Sequence, residues 1–528
     1  LLVVGGGGAG LRAAIAAKMN QADVLLATKY KLGRVSNTFI SKSIIAASGW
    51  GIADDNKDIH MQDTIKGGRF LNDKAKVSMI AERIVSEIDF LKESGVHFEM
   101  QKGKPQLLKI PGHEYARHMH SENWTGSDLI APLLRMAKQK GVNFRDHLFI
   151  TRLLVSDGQI SGALGFTPNG DFIVIRAKSV VLATGGYAQI YQNTNNVPGS
   201  TGDGSALAYK LGVAQRDMEF VQFYPTALGT QGSRIILYEK LLAQKGVALR
   251  NQKGEDIISK YGFSDPAQLT RDQLAQLIIK EIKAESTGEH CVILDLEALS
   301  KETAREMGQL VPSLWWKGQN HFQVTPTAHF CMGGIATNQW GETSQRGLFA
   351  VGEASGGAHG ANRLGGNSLA EIFSMGSLVG LKAAELAKNS NSHPPAQEDI
   401  DCEIRRLENL FAEQGRSPKE LIQELKALMW DKAGIIREKH ELENALNRIQ
   451  GPWPEAAVDN PRDLQRLLEF QNMRLIAELV CTAALQRTES RGSHYRIDYP
   501  EENNTNWIKN IFLSKRESGM KVEIKTVT

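Results

Sequence analysis

Gly5, Gly7 and Gly10 close the apolar run 1–4 and open an alanine-rich stretch that continues to Ala17. A strand that runs into Gly-x-Gly-x-x-Gly and resumes as a helix has few alternative folds. The small residues let the backbone approach a pyrophosphate, and the first turn of the helix offers it unpaired N–H groups and a positive dipole end. The pattern predicts a parallel α/β nucleotide-binding domain. Two further glycine turns extend it. Residues 179–186, Ser-Val-Val-Leu-Ala-Thr-Gly-Gly, read as a buried strand ending in a turn, and 347–371 read GLFAVGEASGGAHGANRLGGNSLAE. Turns this far apart returning to one ligand imply that the domain is interrupted.

Composition narrows the class. At 528 residues the chain exceeds one compact core and suggests about two to four domains. Hydrophobic content of 41% and charged content of 23% are those of a globular protein. A net charge of +3 gives no electrostatic footprint for nucleic acid or an anionic membrane, so neither is expected as a partner. Cys291, Cys331, Cys402 and Cys481 are scattered with no CxxC pair, which reads as reduced thiols and argues against an iron–sulfur cluster carried by this chain; no metal site is expected. No apolar run reaches the length of about 18 residues that a transmembrane helix needs. The sequence begins inside its first strand, so a targeting peptide ahead of it stays open.

Texture divides the chain. Alternating short strands and helices run over 1–217 and resume over 327–388, as in a discontinuous nucleotide-binding domain. Residues 218–326 have mixed strands and polar helices and read as an inserted domain. After the linker 389–395, residues 396–487 are helical by periodicity, for example 421–429, and 488–528 read as a small terminal domain ending in the alternating strand 520–524.

These segments, in this order, resemble the flavoproteins of succinate dehydrogenase and fumarate reductase, a family that also includes L-aspartate oxidase. The resemblance spans essentially the whole chain. It is carried by Gly5–Gly10, Ala183-Thr-Gly-Gly186, Thr201-Gly-Asp-Gly204, Arg216-Asp-Met-Glu-Phe-Val-Gln222, Thr270-Arg-Asp272, Pro326-Thr-Ala-His329, Met332-Gly-Gly334, His359-Gly-Ala-Asn-Arg-Leu364, and Glu489-Ser-Arg-Gly492 with His494-Tyr-Arg496. It implies a Rossmann-like FAD-binding domain interrupted by an α+β capping domain, then a helical and a small C-terminal domain.

The resemblance also assigns roles. FAD contacts are expected from Gly5, Gly7, Gly8, Ala9, Gly10, Thr28, Lys29, Ser43, Gly49, Ala183, Thr184, Gly185, Asp203, Glu353, Arg363, Ser368 and Leu369. Glu353 suits the ribose hydroxyls as an acceptor. Arg363 and His329 are expected on one substrate carboxylate, the guanidinium because it presents two parallel donors. Arg271 of the Arg-Asp pair is expected to protonate carbon. Arginine is an unusual acid, and a buried site crowded with cations is what weakens its hold on a proton. By itself an Arg-Asp pair is most often a surface ion pair, and a lone His a satisfied core residue; the matched motifs reverse both.

Four departures from the family matter. A histidine is usual where Tyr224 stands in Gln222-Phe-Tyr-Pro-Thr226, and a threonine where Tyr238 precedes Glu239. Tyr224, Tyr238 and Thr226 are expected to touch the second carboxylate as hydroxyl donors without positive charge. The family relay runs from the catalytic arginine through the glutamate, here Glu239, to an arginine three residues on, and Leu242 occupies that place. Finally, segment 36–51 has no histidine to bond the flavin, Ser43 lying at or beside that position, so FAD is expected to be non-covalent.

The resulting expectation is an FAD-dependent fumarate reductase or succinate dehydrogenase flavoprotein, with hydride passing between flavin N5 and a C4 dicarboxylate and Arg271 as proton donor. A modified or extended enoate, and L-aspartate oxidase, are the alternatives; a flavin-binding scaffold that has lost catalysis is a third. An iron–sulfur subunit is the implied partner, with a cytoplasmic location or one at the inner face of the cell membrane through partner subunits.

Overall fold

Five short strands lie parallel in the spatial order Leu348–Ala350, Val180–Leu182, Leu2–Val4, Leu25–Ala27, Asn143–Arg145. This computed structural model describes residues 1–527 except 53, 231–232, 234, 238, 265–268, 285–289 and 392, and only the backbone of Glu239, Lys240 and Gln309. The three strands nearest the returning edge are apolar and wholly buried, as a sheet covered on both faces requires. The chain builds outward on one side of Leu2–Val4 and later returns on the other. Such a reversal of order leaves a crevice beyond the carboxyl ends of the central strands. Gly5 turns into it at φ +114, where a Cβ would sit 2.2 Å from the Ala183 carbonyl oxygen.

Two helices aim their N-termini at the crevice: Gly8–Met19 and Asn367–Asn389. They cross closely because Gly380 lies against the backbone of Ala13, where an added Cβ would come within 2.2 Å of the carbonyl oxygen. Arg12 locks the crossing, giving Nε to Glu87 Oε2 at 2.6 Å and Nη2 to Ser377 Oγ at 2.9 Å.

The capping domain is an antiparallel sheet in the order Val221–Leu228, His321–Cys331, Val292–Asp295, Ala248–Arg250, with helix Arg271–Ala284 beside it. Its core, including Leu249, Leu274, Ile278, Leu294 and Phe322, is separate from that of the nucleotide domain. The strand His321–Cys331 runs straight through 326/327, where the sequence suggests a boundary. Pro326 sits opposite the register shift between Tyr224 and Ala227. A proline lacks a ladder donor, and a bulge is where a strand tolerates that.

Helices Gln397–Glu408, Pro418–Ala433, Lys439–Gln450 and Pro461–Gln486 follow. The tail does not stand apart: strands Lys509–Arg516 and Gly519–Thr526 extend a sheet begun by Gln215–Arg216 and Gly334–Ile335. A buried arginine knot fastens it. Arg487 Nε gives to Glu219 Oε1 at 2.6 Å and Nη1 to Glu489 Oε1 at 3.1 Å, Arg491 Nε gives to Glu489 at 2.7 Å, and Arg437 Nη1 reaches the Glu219 carbonyl at 2.7 Å and His494 Nδ1 at 2.8 Å. Among the described residues no helix is long and apolar enough to cross a membrane.

Buried imidazoles make this fold acid-sensitive. Burial pushes His60 and His118 down from 6.5 to about 4, and burial followed by Arg437, Arg487 and Arg496 holds His494 well below its ordinary value. Each is neutral in the folded chain and takes a proton on unfolding near 6.5. The unfolded state therefore binds more protons below that pH, and stability present above it is lost on acidification at about 1.4 kcal/mol per unit per group. Thermal unfolding should show Tm falling steadily from pH 6.5 towards 5. A flat Tm over that interval contradicts the assignment.

Candidate active site

The ends of four parallel strands open into one cavity of about 1870 Å³. Gly5, Gly7, Gly8 and Ala9 line it after Leu2–Val4, Thr28 and Lys29 after Leu25–Ala27, Ala183, Thr184 and Gly185 after Val180–Leu182, and Glu353 after Leu348–Ala350. Asp203 and the helix-start residues Ser368 and Leu369 also line it. The Glu353 carboxylate is held in place by the Cys331 N–H on Oε1 and by Asn37 Nδ2 on Oε2, each at 3.1 Å. Burial, the largest influence, raises its pKa. The Thr184 hydroxyl is buried in the lining with no partner among the described residues. A glycine turn, two helix N-termini, an anchored carboxylate and an orphaned hydroxyl together fit a dinucleotide of the FAD type.

Lys29 and Asp203 line the cavity as expected and are also bonded to other side chains. Lys29 Nζ reaches Asp203 at 2.5 Å and Glu469 at 3.0 Å, and Asn472 Nδ2 donates to Asp203 at 3.0 Å. This cluster of one ammonium and two carboxylates ties the cavity wall to helix Pro461–Gln486. Gly10, Ser43 and Gly49 do not line the cavity. Gly10 packs under the turn against the Gly5 carbonyl, and Ser43 is fully buried with its Oγ 2.7 Å from Ser121 Oγ. Thr226 is likewise turned away, donating its hydroxyl to the Leu237 carbonyl at 2.6 Å.

At the other end of the cavity, residues from both domains meet. Arg363, in the loop before helix Asn367–Asn389, stacks over Phe330 at 4.6 Å and donates Nη2 to Gln222 Oε1 at 2.9 Å. Arg271, the first residue of the capping helix, lies 4.8 Å over the Tyr224 ring. Tyr224 meets the His329 ring edge-on at 5.4 Å. Burial first, then Arg363 and Arg271, hold His329 well below its ordinary pKa, so the imidazole is neutral between two cations. Arg271 sits where the helix dipole is positive, which disfavours a cation. Asp272 beside it accepts from Asn362 Nδ2 at 3.3 Å, and Asn362 Oδ1 accepts from Gln222 Nε2 at 2.7 Å, so the capping helix is bonded to the loop carrying Arg363. Tyr238 and the side chain of Glu239 lie outside the described residues.

Gln222, Asn37, Asn195 and Asn196 escape the sequence reading as site residues. Gln222 had a signal: it precedes Tyr224 by two on one strand and so shares its face. The asparagines carry none beyond their position. Replacing Gln222 with Leu removes the acceptor that orients Arg363. A hydrogen bond to a charged group is worth about 1.5–3 kcal/mol, so KM for the dicarboxylate expected from the sequence should rise tenfold or more with a smaller change in kcat. An unchanged KM in steady-state assays refutes this orienting role.

Comparison with known proteins agrees with this architecture. Residues 1–369 match the FAD binding domain model, and 422–528 match that of the fumarate reductase flavoprotein C-terminal region. A fumarate reductase (CoM/CoB) chain of Methanothermobacter marburgensis is 34% identical over 98% of this chain and 97% of its own. The fumarate reductase flavoprotein of Haemophilus influenzae is 31% identical over 98% and 92%. Among solved structures, the E. coli quinol fumarate reductase flavoprotein superposes with a TM-score of 0.89 at 29% identity, covering 100% of this chain and 96% of that one. With strand ends, glycine turns and both terminal regions accounted for, the chain belongs to the FAD-binding flavoprotein subunits of the fumarate reductase and succinate dehydrogenase family.

Proposed function

We propose that this flavoprotein works as a fumarate reductase, with a C4 enedioate bound between Arg363 and His329 and protonated by Arg271. The observation that supports it is the meeting of Arg271, from the capping helix, with Arg363 around the neutral His329 in one cavity. FAD, when bound, supplies the hydride. Arg363 clamps one carboxylate through its paired N–H donors, and His329 adds a neutral donor to the same group. Arg271 would give a proton from a guanidinium nitrogen to the second alkene carbon, the one that does not take the hydride. Phe330 beneath Arg363 and the Tyr224 ring beneath Arg271 exclude water and fix both guanidinium planes. An iron–sulfur subunit is the proposed electron partner. The relatives' names differ in donor, quinol for one and CoM/CoB for another, which supports placing donor choice in partner chains rather than in this cavity.

A second reading, an enoate altered at one end, draws support from Tyr224 and the apolar Leu228, Ile236 and Leu237 that line the cavity near it. Anaerobic assays with a reduced dye separate the two. Fumarate should have a higher kcat/KM than its monomethyl ester or monoamide; the reverse order selects the second reading. Segment 36–51 has no histidine and Ser43 is committed to Ser121, which supports non-covalent FAD. Acid precipitation should therefore release the yellow colour into the supernatant, and a pellet that keeps it refutes this.

A further inference from the structure

Three side-chain amides lie in a row between the anchored carboxylate and the substrate histidine, and their polarity is set at both ends. Asn37 Oδ1 accepts the Val197 N–H at 3.1 Å, which leaves its nitrogen to face Glu353 Oε2 at 3.1 Å and Asn196 Oδ1 at 2.5 Å. Asn196 is oriented the same way, because its nitrogen donates to the His329 carbonyl at 2.8 Å. That nitrogen also reaches Asn195 Oδ1 at 3.3 Å. With its oxygen so engaged, Asn195 turns Nδ2 to His329 Nδ1 at 3.0 Å, closer than the 3.3 Å from Oδ1 to the same ring atom. Asn195 and Asn196 are both buried, so bulk water does not compete for these bonds.

A neutral imidazole has one N–H. If Nδ1 accepts from Asn195, the proton is on Nε2. Among the described residues Nε2 has no protein hydrogen-bond partner, and His329 lines the cavity. We propose that Asn195 is a positioning residue that fixes His329 as the Nε2–H tautomer, making it a hydrogen-bond donor to a substrate carboxylate, with the polarity passed from Glu353 through Asn37 and Asn196. The carboxylate part of this inference rests on the proposed function; the tautomer does not. A donor on Nε2 attracts a carboxylate, whereas the other tautomer would present a lone pair and repel it.

The charged or titratable groups facing His329 are Arg363, Arg271 and Tyr224, with Glu353 beyond the amides and the side chain of Glu239 outside the described residues. Proton–nitrogen correlation spectra of the FAD-loaded wild type, with the His329 signals identified by their loss in His329→Gln, read the tautomer directly. The expected result at pH 7 is a protonated Nε2 and a bare Nδ1. A protonated Nδ1, alone or in an imidazolium, overturns the proposal. Asn195→Asp supplies the second test, because a carboxylate there draws the proton to Nδ1. Its KM for fumarate should be at least tenfold above wild type at pH 8 and return towards it at pH 6, where the ring can take a second proton. A wild-type KM at pH 8, or an equal rise at both pH values, contradicts the positioning role. A correct tautomer in a protein that does not reduce fumarate would sink the proposed function and leave the tautomer assignment standing.

Discussion

Arg271→Gln should lower kcat for fumarate reduction by on the order of 10³-fold while leaving FAD content unchanged. The glutamine keeps a hydrogen-bonding head near the Tyr224 ring but has no proton to give. Arg271 heads a helix of the capping domain, whereas the glycine turns that line the cavity follow strand ends of the other domain. Loss of turnover with an intact flavin spectrum and normal reduction by dithionite would locate the defect in proton delivery. Arg271→Lys should recover part of the rate, since a cation remains but with different reach and a single-point geometry. A glutamine variant with near-normal kcat would remove Arg271 from the mechanism.

Arg487→Met should be the most damaging single change to stability. The guanidinium is fully buried between Glu219 and Glu489, with Asp217 3.9 Å away. Glu489 keeps Arg491 and Asp217 keeps Arg216, but Glu219 is left buried without its counter-charge, which costs about 3–5 kcal/mol. That is a large share of the roughly 5–15 kcal/mol by which folded proteins are stable. The effect should extend beyond the tail, because Glu219 lies two residues before the strand bearing Gln222 and Tyr224. Calorimetry should show a much lower Tm, and adding Glu219→Gln should restore part of it because one uncompensated charge is gone. A loss below about 1 kcal/mol would mean that the knot is already relaxed by water.

Legibility in the sequence tracked how local each signal is. The glycine turns, the strand ends at Thr28 and Ala183, and the arginines at 271 and 363 stand in short motifs whose chemistry depends on neighbours in sequence. The structure collects them in one cavity. Side chains committed to distant partners were not legible. Nothing near Lys29 announces Glu469, and nothing near Ser43 announces Ser121. Thr226 sits in a recognisable segment, yet the bulge at Tyr224–Ala227 goes with a hydroxyl that bonds the Leu237 carbonyl. The same bulge accommodates Pro326, which reads as a break in an otherwise continuous strand. The amide row from Asn37 to Asn195 is hidden because three neutral side chains acquire a direction only when folding brings backbone groups to Asn37 and Asn196.

The central claim is that Arg271 and Arg363 close over a single flavin-bearing cavity to reduce a C4 enedioate. Single-turnover mixing tests it most directly: the FAD-loaded protein is reduced anaerobically, freed of reductant and mixed with fumarate while flavin absorbance is followed. Full reoxidation with stoichiometric succinate is expected in the wild type, and flavin that stays bleached in both Arg271→Gln and Arg363→Gln. Reoxidation at the wild-type rate in either variant, or none in the wild type, would contradict it.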